Sequence, residues 1–89
     1  MPIDKDFIYV TNSLHRIDII MFLNSVDFVR NYELADILGI NPSYVSQITE
    51  GLSNHNIIMS EKYGKARVYS LTQKGKEIAN KLKDYHGVD

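Results

Sequence analysis

The chain has 89 residues, no cysteine and a formal net charge of −1 at pH 7, and 44% of its residues are hydrophobic. This length suits one small domain with a modest core, and the lack of cysteine excludes disulfides, thiolate metal sites and thiol redox sensing. The longest uninterrupted apolar run, residues 19–23, is far too short to span a bilayer. Because the N-terminus is acidic where a signal peptide is basic, we expect a cytoplasmic protein without a membrane segment.

The charges are unevenly distributed along the chain. Residues 1–61 carry three bases and eight acids, a net charge of −5, whereas residues 62–83 carry seven bases and one acid, a net charge of +6. Phosphate binding requires such a local surplus of positive charge rather than a high overall pI. The alternative is a lysine-rich C-terminal helix that is simply solvated.

Residues 1–12 are predicted to form an N-terminal arm or a short helix, followed by a long helix over residues 13–25. Apolar residues occupy two faces of the long helix, and a helix that is apolar nearly all round is normally buried nearly all round. Either a second copy of the chain or the preceding segment, residues 3–10, must therefore cover the second face. In a homodimer, the interface is expected to contain Ile19, Phe22, Leu23, Val26, Leu82 and Tyr85.

Residues 27–30 are predicted to be a short extended connector to a second helix over residues 32–38. Asn31 precedes that helix and is expected to cap it, because a side-chain amide oxygen can accept an orphan backbone N–H. Gly39 is expected to end the helix, because glycine adopts the left-handed conformation of this position without strain.

A third helix is predicted over about residues 42–54. Asn41 is its expected cap, and Pro42 occupies the first helical position, where the missing N–H costs nothing. Val45, Ile48 and Leu52 recur at helical spacing and should form its buried stripe.

The remaining residues predict a β-hairpin over residues 57–71 and a last helix over residues 72–86. The hairpin has its tip at residues 63–66, and Thr72 can cap the helix. The predicted order is α-α-α-β-β-α, a mainly α fold with a small β-hairpin. No repeat, linker or shift in composition divides the chain, so we expect residues 1–89 to form a single domain.

Four local patterns in this order resemble the winged helix-turn-helix transcriptional regulators of the MarR and ArsR type. They are His15-Arg-Ile-Asp-Ile-Ile20 at the first helix, Glu33-Leu-Ala-Asp-Ile-Leu-Gly39 at the positioning helix, Ser43-Tyr-Val-Ser46 at the recognition helix and Leu71-Thr-Gln-Lys-Gly75 after the wing. The resemblance implies a homodimer that reads two half-sites of double-stranded DNA. It also implies that the third helix enters the major groove and that the wing touches the flanking backbone or minor groove.

Helix geometry gives the readout face independently. With the buried stripe inward, the outward residues of the third helix are Ser43, Ser46, Gln47, Glu50 and Asn54, with Tyr44 at the border. Gln47 can bond adenine bidentately, and the serines can contact bases or phosphates. Tyr44 either donates to a phosphate or packs against the second helix. Glu50 repels phosphates unless it accepts from a cytosine amino group, and Gly51 should loosen the helix by roughly 1 kcal/mol relative to alanine.

The wing should supply most of the affinity. Lys62, Lys65 and Arg67 surround Gly64, so a short loop can carry these cations to phosphates or into a narrow minor groove. Lys74 and Lys76, near the start of the last helix, are expected to add contacts to the DNA backbone. The role of Arg16 stays open between a phosphate contact and a tie between the first helix and the turn.

Motifs of enzymes are absent from the sequence, and its three histidines are too scattered for a triad or a metal cluster. We therefore expect no catalytic activity, no metal and no cofactor, and no set of residues marks an effector. The alternative function is a winged-helix protein-interaction module of a transcription assembly, without DNA affinity of its own. The acidic first half of the chain and Glu50 on the readout face favour that alternative.

Overall fold

The computed structural model of the protein describes residues 4–86, with side chains through residue 84. Five helices and three strands follow in the order α1 (Lys5–Thr11), α2 (Leu14–Asn24), β1 (Val29–Arg30), α3 (Asn31–Leu38), α4 (Pro42–Asn54), β2 (Ile58–Tyr63), β3 (Ala66–Leu71) and α5 (Gln73–His86). The predicted order is confirmed, with one further helix at the start and one further strand before α3. Among residues 4–86, no helix is both long and apolar enough to cross a membrane.

The N-terminal segment, predicted as an arm or a short helix, is the helix α1. The Asp4 side chain caps it by accepting the backbone N–H groups of Asp6 and Phe7, each at 3.1 Å. Val10 in α1 is completely buried, and α1 packs on α2. The segment before α2 therefore covers apolar surface of that helix within a single chain.

This packing corrects part of the predicted dimer interface. Ile19, Leu23 and Leu82 are no more than 2% exposed, because they lie in the core of one chain. A fully buried side chain offers no surface to a second copy, so the prediction was wrong for these three residues. Phe22 is partly buried against the core, Val26 is 37% exposed, and the side chain of Tyr85 lies outside the described residues.

The connector before α3 contributes the third strand. In β1, Val29 pairs with Tyr69 and Arg30 pairs with Val68, so the antiparallel sheet has the order β1-β3-β2. The hairpin of β2 and β3 turns through Gly64, whose φ of 61° lies in the left-handed region that favours glycine. The wing hairpin is thus confirmed, with Tyr63 and Ala66 as its last pair.

The helix-turn-helix is built from α3 and α4. Gly39 ends α3 with a φ of 69°, and the Asn41 side chain accepts the backbone N–H of Tyr44 at 2.8 Å at the start of α4. Pro42 is the first helical residue, as predicted. Asn31 is not the cap of α3, because Arg30 takes that position and the Glu33 carboxylate accepts the Arg30 backbone N–H at 3.0 Å.

Candidate nucleic-acid interface

A polar groove of about 330 Å³ lies between α4 and the wing. Its helix wall consists of Ser46, Thr49, Glu50, Ser53 and Asn54. Its sheet wall consists of Ser60, Arg67 and Tyr69. The structure therefore brings together Ser46, Glu50 and Arg67, three of the residues predicted to contact DNA.

The strand register explains why Arg67 lies in this groove. Residues directly opposite in an antiparallel pair share a face of the sheet, and Ser60 pairs with Tyr69 while Lys62 pairs with Arg67. Arg67 Nη1 donates to Ser60 Oγ at 2.9 Å, so the guanidinium is held on the face of the sheet that meets α4. Lys62 and Arg67 are like charges directly opposite each other, an arrangement that is unfavourable unless an anion lies between them.

Sequence reasoning missed Asn31, which connects the two walls of the groove. Its Nδ2 donates to Ser46 Oγ at 3.1 Å and to the Tyr69 hydroxyl at 2.9 Å. Tyr69 is 1% exposed, so this hydrogen bond satisfies a buried hydroxyl. One side chain at the start of α3 thus fixes the position of α4 relative to β3. The pairing of Ser60 with Tyr69 was available from the predicted hairpin, whereas no local pattern marks Asn31 for this role.

The N-terminal half of α4 carries no charged side chain. Ser43 and Gln47 are exposed, as predicted for the readout face. Tyr44 is 41% exposed, and its ring contacts His15 of α2 edge-on with ring centres 5.3 Å apart. Tyr44 therefore contacts α2, whereas the predicted packing was against the second predicted helix, which is α3 in the structure.

The α5 lysines predicted to contact DNA lie elsewhere. Lys74 Nζ donates to the backbone carbonyl of His55 at 3.0 Å and pairs with Asp6 Oδ2 at 2.5 Å. This ammonium is thus engaged within the protein. Lys76 is exposed and lines a separate cleft beside Leu23 and Leu71. In contrast, Lys62 and Lys65 form no ion pair with any residue that the structure describes.

A second network fixes the C-terminal end of α4, and it answers the question left open about Arg16. The guanidinium of Arg16 lies 3.8 Å from the ring centre of Tyr9 and donates to the Tyr9 carbonyl at 2.7 Å. The His55 ring stacks on Tyr9 with centres 3.9 Å apart, and its Nδ1 lies 2.9 Å from Asp6 Oδ1. Arg16 therefore ties α2 to α1, rather than to the turn, and is not presented to phosphate.

Two carboxylates of the α1 segment are stabilised in their charged forms. Hydrogen bonds from Lys74 and then from His55 lower the pKa of Asp6 below its ordinary value. A hydrogen bond from Lys81 lowers the pKa of Asp4 in the same direction, with the Phe7 backbone N–H as the second cause. Lys74 and Lys81 therefore neutralise acids of the α1 segment, whereas the wing cations form no ion pair with any described residue.

The outer face of the sheet differs in character from the groove. It carries a second cleft of about 510 Å³, lined by Phe28, Tyr63 and Val68 among other residues. Phe28 is 56% exposed and Tyr63 is 61% exposed. Exposed aromatic residues are suited to a protein surface or an organic molecule rather than to phosphate. Sequence reasoning missed this cleft, because β1 was not predicted to join the sheet.

No protein-family model and no curated protein matches the sequence. Solved structures do match. ZitR of Lactococcus lactis, a zinc-responsive MarR family member, has 23% identity and a TM-score of 0.71, with 84% of this chain and 54% of that chain covered. AdcR, the adhesin competence repressor of Streptococcus pyogenes, has 22% identity, a TM-score of 0.74 and coverage of 84% and 57%.

HlyU of Vibrio cholerae is similar over almost its whole length, with 18% identity, a TM-score of 0.79 and coverage of 92% of this chain and 89% of that chain. Our chain thus spans little more than half the length of ZitR and AdcR and most of the length of HlyU. At these identities the likeness concerns the fold. The chain has the winged-helix fold that its four sequence patterns indicate.

Proposed function

We propose that this protein is a transcriptional regulator that binds double-stranded DNA. In this proposal α4 enters the major groove, and the wing of residues 62–67 contacts the flanking backbone or minor groove. ZitR is a MarR family member and AdcR is a repressor, and both share the winged-helix fold with this chain. The observation that carries the proposal is the placement of Arg67 on the wing wall of the groove, facing the outward residues of α4.

The wing has the chemistry required for phosphate contacts. Lys62 and Arg67 are directly opposite in register, and Lys65 follows Gly64 at the exposed tip. The repulsion between these cations falls when a phosphate lies between them. Phosphate binding therefore removes an unfavourable interaction that is present in the free protein. Because these cations are not consumed by ion pairs among the described residues, they remain available for DNA.

The exposed part of α4 has the chemistry required for base contacts. Gln47 can bond adenine bidentately, and Ser43 and Ser46 can bond either bases or phosphates. Ser46 is held by Asn31, which limits the directions in which its hydroxyl can point. The lack of basic residues on this helix means that its contribution is sequence readout more than affinity.

We further propose that the functional unit is a homodimer in the cytoplasm that reads two half-sites. Phe22 near the end of α2 and Val26 just after that helix retain surface, and Tyr85 remains a proposed member of the interface. Light scattering at micromolar concentration should give twice the mass of the chain. A monomer would exclude this part of the proposal and leave DNA binding by a single copy.

The test of the function is fluorescence anisotropy with duplex DNA and a wing variant, Lys65→Ala with Arg67→Ala. The matched control, Lys5→Ala with Lys83→Ala, removes two exposed lysines of the helices α1 and α5 and therefore the same charge. We expect the wing variant to lose affinity at least tenfold more than the control, because only the wing charges contact phosphates. Equal losses would show that net charge, rather than the wing, governs binding.

A protein-interaction module is the second candidate function. The cleft of the outer sheet face, with the aromatic side chains of Phe28 and Tyr63 exposed, is the observation that favours it. A complete lack of DNA binding by the wild-type protein at low salt would replace the first function with this one. The mutation Phe28→Ala should then abolish binding of the partner without affecting the fold.

A further inference from the structure

Glu50 is an unpaired acid at the centre of the groove wall. It is exposed on the outward face of α4, and it makes no hydrogen bond or ion pair with any residue that the structure describes. Arg67 lines the same groove but donates to Ser60 on its own sheet. The nearby cation is thus not used to neutralise Glu50, which remains free to accept a hydrogen bond from a ligand.

The outward stripe of α4 is otherwise neutral. Ser43 and Gln47 lie seven and three residues before Glu50, so helical geometry places all three on one side of the helix. A carboxylate only accepts hydrogen bonds, and it repels phosphates. In the major groove its compatible partners are amino groups, and the cytosine N4 is the one favoured by carboxylates. The adenine N6 is less suitable, because the neighbouring N7 is itself an acceptor.

We propose that Glu50 is a specificity-determining residue that selects a cytosine in the major groove of the operator. This inference rests on the proposed function, because it requires α4 to lie in that groove. The two sides of the groove then have different roles. Lys62 and Arg67 on the wing attract the DNA backbone, and Glu50 on the helix discriminates between bases. The wing cations also offset the repulsion between Glu50 and the phosphates.

The test is selection of binding sites from a randomised duplex library by the wild-type protein, Glu50→Gln and the control Glu77→Gln. Glu77 is an exposed acid on α5 outside the groove, so its replacement removes the same charge without altering the helix wall. Wild-type protein and Glu77→Gln should both select a cytosine at one fixed position in each half-site. Glu50→Gln should select adenine there, because glutamine bonds adenine N6 and N7 together.

Anisotropy titrations on the selected site measure how strongly each protein discriminates between bases at this position. Replacing the selected C·G pair with A·T should weaken wild-type binding roughly ten- to a hundredfold, and should strengthen binding of the Glu50→Gln variant. The variant should also bind mixed-sequence DNA more tightly than wild type, because a source of repulsion has been removed. Thermal melts of the three proteins confirm that differences in binding do not arise from unfolding.

Each result decides the inference. Selection of the same sequence by the wild type and Glu50→Gln would overturn it and leave the proposed function intact. DNA binding by the wild type without any sequence preference would also overturn the inference and leave the proposed function intact. Absence of duplex binding at low salt would overturn the proposed function and this inference together.

Discussion

The hydroxyl of Tyr9 in α1 lies against the backbone of Gly51 in α4, in the space that a Cβ at that position would occupy. The sequence alone suggests that Gly51 loosens the recognition helix. In the structure, the glycine instead permits close approach of α1. Because Arg16 and His55 hold the Tyr9 ring, the ring cannot move aside easily, and the contact fixes α1 to the helix that is proposed to read DNA.

Gly51→Ala should therefore destabilise the wild-type protein, although alanine favours a helix by about 1 kcal/mol relative to glycine. Overpacking typically costs about 1–3 kcal/mol and should exceed that gain. In a Tyr9→Phe background the same substitution should be at least about 1 kcal/mol less harmful, because the hydroxyl is gone and the next ring atom, Cζ, lies 3.4 Å from the new methyl group. Urea unfolding of the four proteins measures this coupling, and equal effects of Gly51→Ala in both backgrounds would contradict it.

Asp6 should make the stability of the fold dependent on acid pH. Its pKa is lowered by Lys74 and His55, so its contribution is complete above the pKa of the unfolded chain, near 4, and is lost as the pH falls through the lower folded value. Asp6→Asn should therefore be less stable than wild type at pH 7, and the difference should shrink below about pH 4. Unfolding midpoints at several pH values measure it, and a difference that stays constant down to pH 2 would contradict the assignment.

Lys74 and Lys62 should behave differently although both carry one positive charge. Lys74→Ala should lower stability, because Asp6 and the His55 carbonyl lose a partner, but should leave the salt dependence of DNA binding unchanged. Lys62→Ala should not lower stability, but it should reduce the slope of log K against log salt by about 1. A reduced slope for Lys74→Ala would show that its ammonium leaves Asp6 to contact phosphate.

Asn31→Ala should destabilise the fold by about 1–3 kcal/mol, because the buried hydroxyl of Tyr69 would lose its hydrogen bond. Asn31→Asp is a useful companion, because its carboxylate cannot donate but can accept from the Tyr69 hydroxyl, so this variant should lose less stability than Asn31→Ala. Denaturant unfolding of both variants tests the expectation. Stability equal to wild type in both would show that the Tyr69 hydroxyl finds another partner or water.

Local signals were sufficient for most of the fold. The cap at Asn41, the stop at Gly39 and the apolar spacing of the helices each depend on residues close in sequence. The strand β1 was missed because two residues, Val29 and Arg30, are too few to show a strand pattern, and only their pairing with β3 makes them a strand.

The candidate site was predicted less completely, because several of its contacts join distant parts of the chain. Asp6 and His55 are 49 positions apart, so nothing near Lys74 indicates that it binds them rather than DNA. For the same reason, helical periodicity identified Ile19 and Leu23 as apolar positions but could not identify the part of the chain that covers them. The outward residues of α4 and the wing cations were predicted correctly as exposed, because their positions follow from helix and hairpin geometry.

The most direct test of DNA binding by this protein is an anisotropy titration of wild-type protein with mixed-sequence duplex DNA at low and at moderate salt. We expect binding at low salt that weakens steeply as salt rises, with a slope of about 0.9 for each phosphate neutralised. At least three phosphates per chain are expected from the wing cations Lys62, Lys65 and Arg67. Absence of binding at low salt, or binding that does not respond to salt, would contradict the proposal that this winged helix binds DNA.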